Sequence, residues 1–392
     1  MRPDGITSRR AEFAVPDDVA YFNTANLGPL LHTVRDAGER ALQRRAAPWT
    51  IRAQDWFTDV ERLRALVGRL MQNSAKEPVP GDGAASEGVA FIPATSYGFA
   101  VAARNLPLRA GQRVVVLAQE YPSGVYTWRR HVTRHGAEIR TVHRDSGQSW
   151  ADAVLAALDE QVAIISVPQV HWTDGAWVDL AAVSRAAHDL GAALVLDVSQ
   201  SLGAVPFDAR ALDPDFVVGV GYKWLLGPFG RSYLWVAERH RGGEPLEENW
   251  IVRTEAEDFA RLTEYRDDYQ DGARRFDHGQ RTQFELTPMA IAAVAQVLSW
   301  GVEAISAHLG KVTDRIGTRL RELGLTPLPG ERGPHMLGVE LPQYARSRAA
   351  GVLAEAGCYA SVRATALRLA PHLHTTEDDI ARLGGALGTL LG

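Results

Sequence analysis

The sequence has 392 residues, 46% of them hydrophobic and 23% charged, with a formal net charge of −5. These values are ordinary for a folded globular protein. The negative charge and the lack of a basic run argue against a nucleic-acid partner, and no apolar run approaches the roughly 18 residues of a membrane span. One cysteine, Cys358, excludes an intrachain disulfide and a metal site built from several cysteines, so we expect no metal.

The first residues contain no apolar signal core; they read MRPDGITSRRAEF. We therefore expect a cytoplasmic protein without a membrane partner. A chain of this length can bury a large core, and two subdomains are expected.

Short apolar segments alternate with amphipathic segments over most of the chain. Strands are predicted at 88–92, 113–117, 138–144, 162–170, 194–198, 216–221 and 233–236. Helices are predicted at 33–47, 55–73, 99–106, 126–136, 149–160, 180–191 and 287–309. This alternation indicates an α/β protein with a mostly parallel, doubly wound sheet, followed by a smaller α+β part from about residue 311. Ligands of such sheets gather at the carboxyl ends of the strands.

Small polar residues follow the first of these strands. Ala94, Thr95 and Ser96 stand between strand 88–92 and the next helix. Backbone N–H groups and the positive end of a helix dipole make such a turn an anion site. A plain helix N-cap is the alternative interpretation.

The strongest chemical pattern joins two later strands. Asp197 ends the run LVLD, and Lys223 follows the run FVVGVGY, 26 residues further on. Pyridoxal phosphate (PLP) needs both groups, because its aldehyde forms a Schiff base with an amine and its ring nitrogen stays protonated beside a carboxylate. The chain has only two other lysines: Lys76 in a Pro/Gly-rich stretch and Lys311 on a helical pattern.

These residues resemble the class V aminotransferase family of fold-type I PLP enzymes. The shared pattern is Asp197-x-x-Gln200, then Lys223 shortly before Gly-Pro-Phe-Gly at 227–230. The group includes cysteine desulfurases, kynureninases, isopenicillin-epimerase-like proteins and C–S lyases, and its landmarks follow in order along nearly the whole chain. The resemblance implies a fold-type I PLP transferase, with a large PLP-binding domain at 17–285 and a small domain formed by 286–392 with 1–16.

The resemblance also implies cofactor contacts. Lys223 would carry the cofactor, Asp197 would pair with the ring nitrogen, and Gln200 would reach the 3′-oxygen. Tyr121 would stack on the ring, in place of the histidine that desulfurases often have. Phosphate contacts are expected from Ala94, Thr95, Ser96, Tyr222 and, across a homodimer with shared active sites, Gln280. Two positions depart from the family. Val220 lacks a hydroxyl that commonly binds phosphate. Gln280 stands where threonine is usual, and Arg281 or Thr282 could take over the role of that threonine.

A further departure is His171-Trp172, where relatives carry asparagine. His171 would bond the 3′-oxygen or act as an acid–base group on substrate, and Trp172 would wall a pocket for a bulky substrate. A merely buried histidine is the alternative.

The family binds the substrate carboxylate with an arginine, here Arg368, with Arg363 as a second candidate. Asn26 is a substrate candidate at the entrance or a simple turn residue.

The position of the cysteine separates the possible reactions. Cys358 lies ten residues before Arg368, outside the family's catalytic loop, so we expect it to pack as a small apolar residue and we reject desulfurase chemistry. The preferred function is a PLP-dependent C–S β-lyase acting on a cysteine conjugate, a small amino-acid substrate. An aminotransferase, an epimerase or a decarboxylase of the same family remains open. From another class, a non-catalytic PLP-fold binding protein is the alternative.

Overall fold

A seven-stranded sheet forms the centre of the described chain. In this computed structural model, the described residues are 8–72, 83–145, 147–363 and 365–392. The strands lie in the order β2-β8-β7-β6-β5-β3-β4, and within this sheet only β8 runs antiparallel to its neighbours. The strands of the described chain are β1 (Ala20–Tyr21), β2 (Val89–Ile92), β3 (Arg113–Leu117), β4 (Glu138–Val142), β5 (Val162–Pro168), β6 (Ala193–Asp197), β7 (Phe216–Val220), β8 (Ser232–Val236), β9 (Leu337–Glu340), β10 (Cys358–Tyr359), β11 (Ser361–Arg363) and β12 (Ala366–Leu369).

Helices cover both faces of the sheet. They are α1 (His32–Arg45), α2 (Thr58–Met71), α3 (Gly83–Ser86), α4 (Thr95–Asn105), α5 (Pro122–His135), α6 (Trp150–Ala156), α7 (Leu180–Leu190), α8 (Ala209–Leu212), α9 (Leu286–Trp300), α10 (Val302–Glu322), α11 (Gln343–Arg346), α12 (Ala349–Glu355) and α13 (Glu377–Leu391). Short 3-10 turns occur at Arg10–Glu12, Pro48–Thr50, Ala53–Trp56, Glu238–His240, Trp250–Val252, Phe259–Arg261 and Gly272–Phe276.

The strand sequences explain why the sheet is buried on both faces. Successive side chains of a strand point to opposite faces, so a strand covered on both sides needs apolar residues at every position. In β3, Val114 and Val116 pack in the core beneath α4 and α5, whereas Val115 and Leu117 pack in the core on the other face. The α/β fold with a mostly parallel sheet is therefore confirmed, and most predicted strands agree with the observed ones within two residues.

A second core lies in the C-terminal part of the chain. Strands β11, β12 and β9 form an antiparallel sheet, and β1 pairs in parallel with β10, which ties the N-terminal segment to this core. Side chains of α9 and of the first half of α10 pack in the main core, and those from Val312 onwards pack in the second core. Helix α10 therefore contributes side chains to both cores. The predicted domain bounds, 17–285 and 286–392 with 1–16, stay a prediction.

One predicted helix is wrong. The sequence pattern predicts a continuous helix over 287–309, but the structure has α9 and α10, bent by 77°. The break is at Gly301, whose φ of 79° lies in the left-handed region that favours glycine. Within the described ranges, no single helix is long and apolar enough to cross a membrane, and this bent pair passes such a test only when its two helices are joined.

The N-terminal turn packs directly against the segment that carries Lys223. The backbone N–H of Gly28 donates to the carbonyl of Tyr222 at 2.8 Å. A Cβ atom at Gly28 would lie 2.1 Å from the backbone oxygen of Lys223, closer than any real contact. This approach therefore requires glycine, and it fixes the backbone of the lysine from outside the sheet.

Gly28→Ala is expected to lower the free energy of unfolding by about 2–3 kcal/mol, because one of two backbone segments must shift. Thermal or urea unfolding of the purified variant measures this. The matched control is Gly385→Ala, where the added methyl group meets nothing within 4 Å on helix α13. The control is expected to be neutral or slightly stabilising, and equal losses in both variants would contradict the close-approach argument.

Candidate active site

A cavity opens at the carboxyl ends of the parallel strands. The loops after β2, β3, β5, β6 and β7 all end at this edge of the sheet, so residues distant in sequence meet there. The cavity wall is formed by Thr95, Glu120, Tyr121, Pro168, Val170, Trp172, Asp197, Ser199, Gln200, Val220, Tyr222 and Lys223.

Lys223 is a buried amine with only 8% of its surface exposed. Burial lowers the pKa of Lys223 to about 8, an effect that Asp197 opposes and that Arg368 and Arg363 reinforce. Its Nζ lies 5.6 Å from the ring centre of Tyr121 and 5.9 Å from that of Tyr222. The neutral, nucleophilic form of the amine is therefore accessible near neutral pH. Lys311 is exposed on α10, and Lys76 lies outside the described residues.

Asp197 ends β6, Gln200 follows in the next turn, and both line the cavity. Burial raises the pKa of Asp197, although Ser199 and Lys223 lower it, and its Oδ1 accepts the backbone N–H of Ser199 at 2.7 Å. The amide of Gln200 donates to the carbonyl of Ala25 and accepts the indole N–H of Trp224, each at 3.0 Å. Gln200 is thus held rigidly in the cavity wall, and its predicted bond to the cofactor stays a prediction.

Helix α4 begins at Thr95 and points its N-terminus at the cavity. Thr95 is buried in the wall, while Ala94 and Ser96 are exposed and lie outside it. The first N–H groups of a helix have no partner within the helix, so this end offers donors to an anion. Val220 and Tyr222 line the wall from the opposite side, and burial raises the pKa of Tyr222. The structure thus brings Thr95 and Tyr222 to the cavity, but not Ala94 or Ser96.

Two aromatic rings stand at the mouth of the cavity. The ring of Tyr121 meets that of Trp172 edge-on, with centres 5.6 Å apart. The indole N–H of Trp172 donates to the backbone oxygen of Gln119 at 2.7 Å. This hydrogen bond connects the loop after β5, which contains Trp172, to the turn that contains Tyr121. It therefore holds both rings at the entrance.

Two guanidinium groups face the same entrance from the second core. Arg368 on β12 is 1% exposed and donates from Nη1 to the backbone oxygen of Trp172 at 2.6 Å. Burial and the nearby Arg363 lower the pKa of Arg368 to about 10. The Nε atoms of both arginines are buried without a hydrogen-bond partner among the described residues. Neither arginine forms an ion pair within the described part of the chain, so both are available to an anion.

The structure does not bring His171 into the cavity wall. Its Nε2 donates to the backbone oxygen of Ala118 at 3.1 Å, its Nδ1 lies 2.7 Å from the hydroxyl of Thr173, and its ring stacks on Trp150. Burial alone would lower the pKa of His171, but Asp174 and Glu120 raise it. This placement favours the alternative of a buried, hydrogen-bonded histidine and gives no support to the predicted catalytic role.

Two further predicted residues lie outside the cavity of their own chain. Asn26 is exposed in a turn closed by its backbone N–H to the carbonyl of Asn23 at 2.9 Å. Gln280 is exposed on the surface, while Arg281 is buried in an ion pair with Asp277 and Thr282 donates to the carbonyl of Trp56. The turn interpretation of Asn26 is favoured, and the role of Gln280 across a dimer stays a prediction.

Glu120 also lines the cavity, although the sequence pattern predicts no role for it. It is the carboxyl group before Tyr121, at the end of a turn where Gln119 has a positive φ of 56°. Burial, with a smaller contribution from Asp197, raises the pKa of Glu120 to about 7, although His171 and the backbone N–H of Tyr121 act to lower it. Its signals in the sequence are its position three residues after a buried strand and directly before Tyr121.

The sequence profile described as Aminotransferase class-V matches residues 82–370. The chain belongs to the aminotransferase class V family. Among curated relatives, it is 28% identical to the kynureninase of Deinococcus radiodurans over 302 residues, covering 74% of this chain and 68% of that protein. It is also 28% identical to the isopenicillin N epimerase of Streptomyces clavuligerus over 309 residues, covering 74% of this chain and 77% of the relative.

The fold is also that of a solved structure, a C-DES variant with glycine covalently linked to its PLP cofactor. The TM-score is 0.85 at 17% sequence identity, and the similarity covers 97% of this chain and 99% of that chain. The predicted family and the fold-type I class are therefore confirmed. This aminotransferase class V member is a PLP-dependent enzyme, and a non-catalytic binding protein is not supported.

The residues at the cavity fit this cofactor chemically. The buried amine of Lys223 suits an aldehyde, the carboxyl of Asp197 suits a ring nitrogen, and the N-terminus of α4 suits a phosphate. The ring of Tyr121 offers a flat apolar face. Each of these groups lies at or just after the end of a different strand, so the sheet brings them to one edge.

Lys223→Met is expected to stabilise the cofactor-free protein near neutral pH. A lysine whose folded pKa is about 8 is ionised more readily in the unfolded chain, so burying the ammonium costs about 3 kcal/mol below pH 8. This cost shrinks as the pH rises from 8 towards the unfolded pKa, and the gain from methionine shrinks with it. Urea unfolding at several pH values measures the gain, with the exposed Lys311→Met as control. A variant that is no more stable than the wild type at pH 7 would contradict this account.

Proposed function

We propose that this family member is a C–S β-lyase that cleaves a cysteine conjugate without a catalytic cysteine. The observation that carries the proposal is a cavity with a buried amine and, at its entrance, two guanidinium groups that form no ion pair among the described residues. The described residues of the cavity wall include no cysteine. The chemistry needs a base at the substrate Cα and an anchor for the substrate carboxylate, and these groups provide both.

The proposed cofactor contacts follow the geometry of the wall. Lys223 would bind the aldehyde carbon, Asp197 the ring nitrogen, and Gln200 the 3′-oxygen. The N-terminus of α4 at Thr95, together with Tyr222, would hold the phosphate, and Tyr121 would cover one face of the ring. When bound, the cofactor supplies an electron sink for the bonds broken at the substrate Cα.

The chain's own residues then handle substrate and protons. Lys223 Nζ would take the proton from the substrate Cα, which its lowered pKa allows near neutral pH. Arg368 binds the α-carboxylate and fixes the direction of the Cα–H bond. Arg363 adds positive charge, and Trp172 forms the wall along which the sulfur substituent lies.

The only cysteine of the chain does not fit a desulfurase mechanism. Cys358 lies on β10 within the second core, 1% exposed, and burial raises the pKa of its thiol to about 11. A thiol that stays protonated and buried is a poor acceptor for sulfur. Cleavage would therefore release the thiol product directly to water.

Three other features belong to the proposal. A homodimer would let the exposed Gln280 of each subunit approach the phosphate bound by the other subunit.

The substrate would be a small amino acid, and the enzyme would work in the cytoplasm. An aminotransferase, an epimerase and a decarboxylase share the first proton removal at Lys223, and they are the alternatives that the assay must separate.

Purified protein loaded with PLP is expected to release thiol and pyruvate in equal amounts from at least one cysteine conjugate. Thiol release is measured with a thiol reagent and pyruvate by a coupled reduction. Lys223→Ala should abolish the release of both products. Arg368→Lys should raise KM by about tenfold or more, because lysine cannot form the bidentate contact that arginine forms with a carboxylate.

Other products would overturn the lyase assignment. Amino transfer to a keto acid without thiol release would mark an aminotransferase, and solvent deuterium at Cα with loss of optical activity would mark an epimerase. Release of carbon dioxide would mark a decarboxylase. Absence of any PLP-dependent turnover across conjugates and common amino acids would exclude the substrate class proposed here.

Cys358→Ala is expected to retain the thiol-release rate within about twofold. A buried cysteine that only packs is replaced by alanine at a modest cost in stability, about 1 kcal/mol. Comparing kcat and the melting temperature of this variant with those of the wild type separates the two effects. A loss of kcat of about 100-fold in folded protein would instead show that the thiol takes part in the reaction.

A further inference from the structure

The cavity entrance has more positive charge than one substrate carboxylate can compensate. Arg368 lies on β12 and Arg363 on the neighbouring β11, and the Nε atom of each is buried without a hydrogen-bond partner among the described residues. Burial and Arg363 lower the pKa of Arg368, which only the phenol of Tyr21 opposes among the described residues. A partly buried cation is costly unless an anion compensates it. When the α-carboxylate of a substrate is bound by Arg368, the charge of Arg363 therefore still lacks a partner.

The register of the two strands holds the arginines apart. In the antiparallel pair of β11 and β12, Ser361 is the partner of Arg368. Arg363 is the partner of Ala366 in the same pair. The two arginines are therefore diagonal neighbours on one face, and the Cα atoms of such neighbours lie roughly 7–8 Å apart. Their like charges also repel each other, so this face offers two separate positions to anions.

The two positions lie at different depths. Arg368 is 1% exposed and donates from Nη1 to the backbone oxygen of Trp172 at 2.6 Å. Arg363 is half-buried, and its guanidinium carbon lies 5.9 Å from the ring centre of the same tryptophan. Burial is the main cause of the lowered pKa of Lys223, and of the two arginines Arg368 contributes more to it. Arg368 is thus the inner position, nearer the amine, and Arg363 is the outer position beside the indole ring.

The outer guanidinium group still has donors to offer. Its Nη1 donates to the backbone oxygen of Val362 at 3.3 Å, a long hydrogen bond, and its Nε has no partner among the described residues. The parallel N–H groups of an arginine match the two oxygens of a carboxylate. Arg363 therefore has the charge and the free donors of a carboxylate site.

We propose that Arg363 is a second anion site, which selects cysteine conjugates whose sulfur substituent ends in a carboxylate. The inference rests on the proposed lyase function and names its substrate class. The α-carboxylate binds to Arg368, the substituent runs outwards along Trp172, and its terminal carboxylate binds to Arg363. The Cβ–S bond breaks with its electron pair going to sulfur, which takes up one proton in place of the proton removed from Cα. One water is consumed, and the products are a mercapto acid, pyruvate and ammonia.

Two conjugates of nearly the same shape test the outer site. S-carboxymethylcysteine and S-carbamoylmethylcysteine differ in one negative charge, and KM is compared because their thiols differ as leaving groups. PLP-loaded wild type is expected to have a KM about tenfold or more lower for the acid than for the amide. In Arg363→Gln this ratio should fall to about twofold or less. Arg130→Gln on α5 replaces an exposed arginine that forms no ion pair among the described residues, and this control should keep the wild-type ratio.

The ratio also separates this role from two simpler ones. If Arg363 shares the α-carboxylate with Arg368, Arg363→Gln raises KM by the same factor for both conjugates, because both carry that carboxylate. A merely structural role of Arg363 also affects both conjugates alike. Arg363→Lys keeps the charge but not the planar fork, so it should retain part of the preference for the acid. This second variant keeps the test available if the glutamine variant folds poorly.

Binding of unreactive acids provides a readout beyond turnover. Adipate has as many linking atoms between its carboxylates as S-carboxymethylcysteine, and hexanoate lacks the second carboxylate. At equal concentration and ionic strength, adipate should raise the melting temperature of the PLP-loaded protein more than hexanoate does. The difference should disappear in Arg363→Gln and persist in Arg130→Gln. Equal shifts by the two acids in wild type would overturn the second anion site.

The outcomes distinguish this proposal from the function on which it rests. If wild-type protein releases no thiol from any conjugate, the lyase function is overturned, and the proposed substrate class with it. If thiol is released but the acid and the amide have equal KM values, only the role of Arg363 is overturned. A preference for the acid that persists unchanged in Arg363→Gln also overturns that role.

Discussion

The desolvation of Lys223 is the constraint on which the rest of the site depends. An amine becomes a nucleophile and a base near neutral pH only if its ammonium form is made unfavourable, and burial does this here. Such burial needs a rigid apolar surrounding, which the parallel sheet supplies because its strands are covered on both faces. The sheet also leaves loop residues at its carboxyl edge, so the same architecture that buries the amine assembles the polar groups around it.

Support for the lysine comes from outside the sheet as well. The N-terminal turn reaches the backbone of Tyr222 and Lys223 through Gly28, and the same N-terminal segment pairs with β10 of the second core. The indole of Trp224 donates to Gln200, whose backbone oxygen in turn accepts from His335. Both cores therefore contact the lysine segment, and a movement of one core relative to the other would act directly on Lys223 and on the turn that contains Gln200.

The strands, the family and the central pair Asp197 and Lys223 could be predicted because each depends on local sequence. Apolar runs define strands, and the ends of parallel strands define the site. The orientation of His171 could not be predicted, because its ring bonds to Ala118, which is distant in sequence. The burial of Glu120 depends on the packing of several loops, and the break in the long helix depends on the backbone of Gly301. Sequence periodicity identifies apolar positions, but it identifies neither the packing between distant loops nor the backbone conformation of a single glycine.

The charges of the cavity balance only when ligands are present. Arg363 and Arg368 add positive charge at the entrance and form no ion pair among the described residues, while the carboxyl groups of Asp197 and Glu120 in the cavity wall have raised pKa values. A phosphate at α4 and a carboxylate at Arg368 would compensate the cations, and a protonated ring nitrogen would compensate Asp197. Glu120 has no such partner in this scheme. Its Oε2 is buried without a hydrogen-bond partner among the described residues, and burial raises its pKa, so the site favours the protonated form of this acid more than water does.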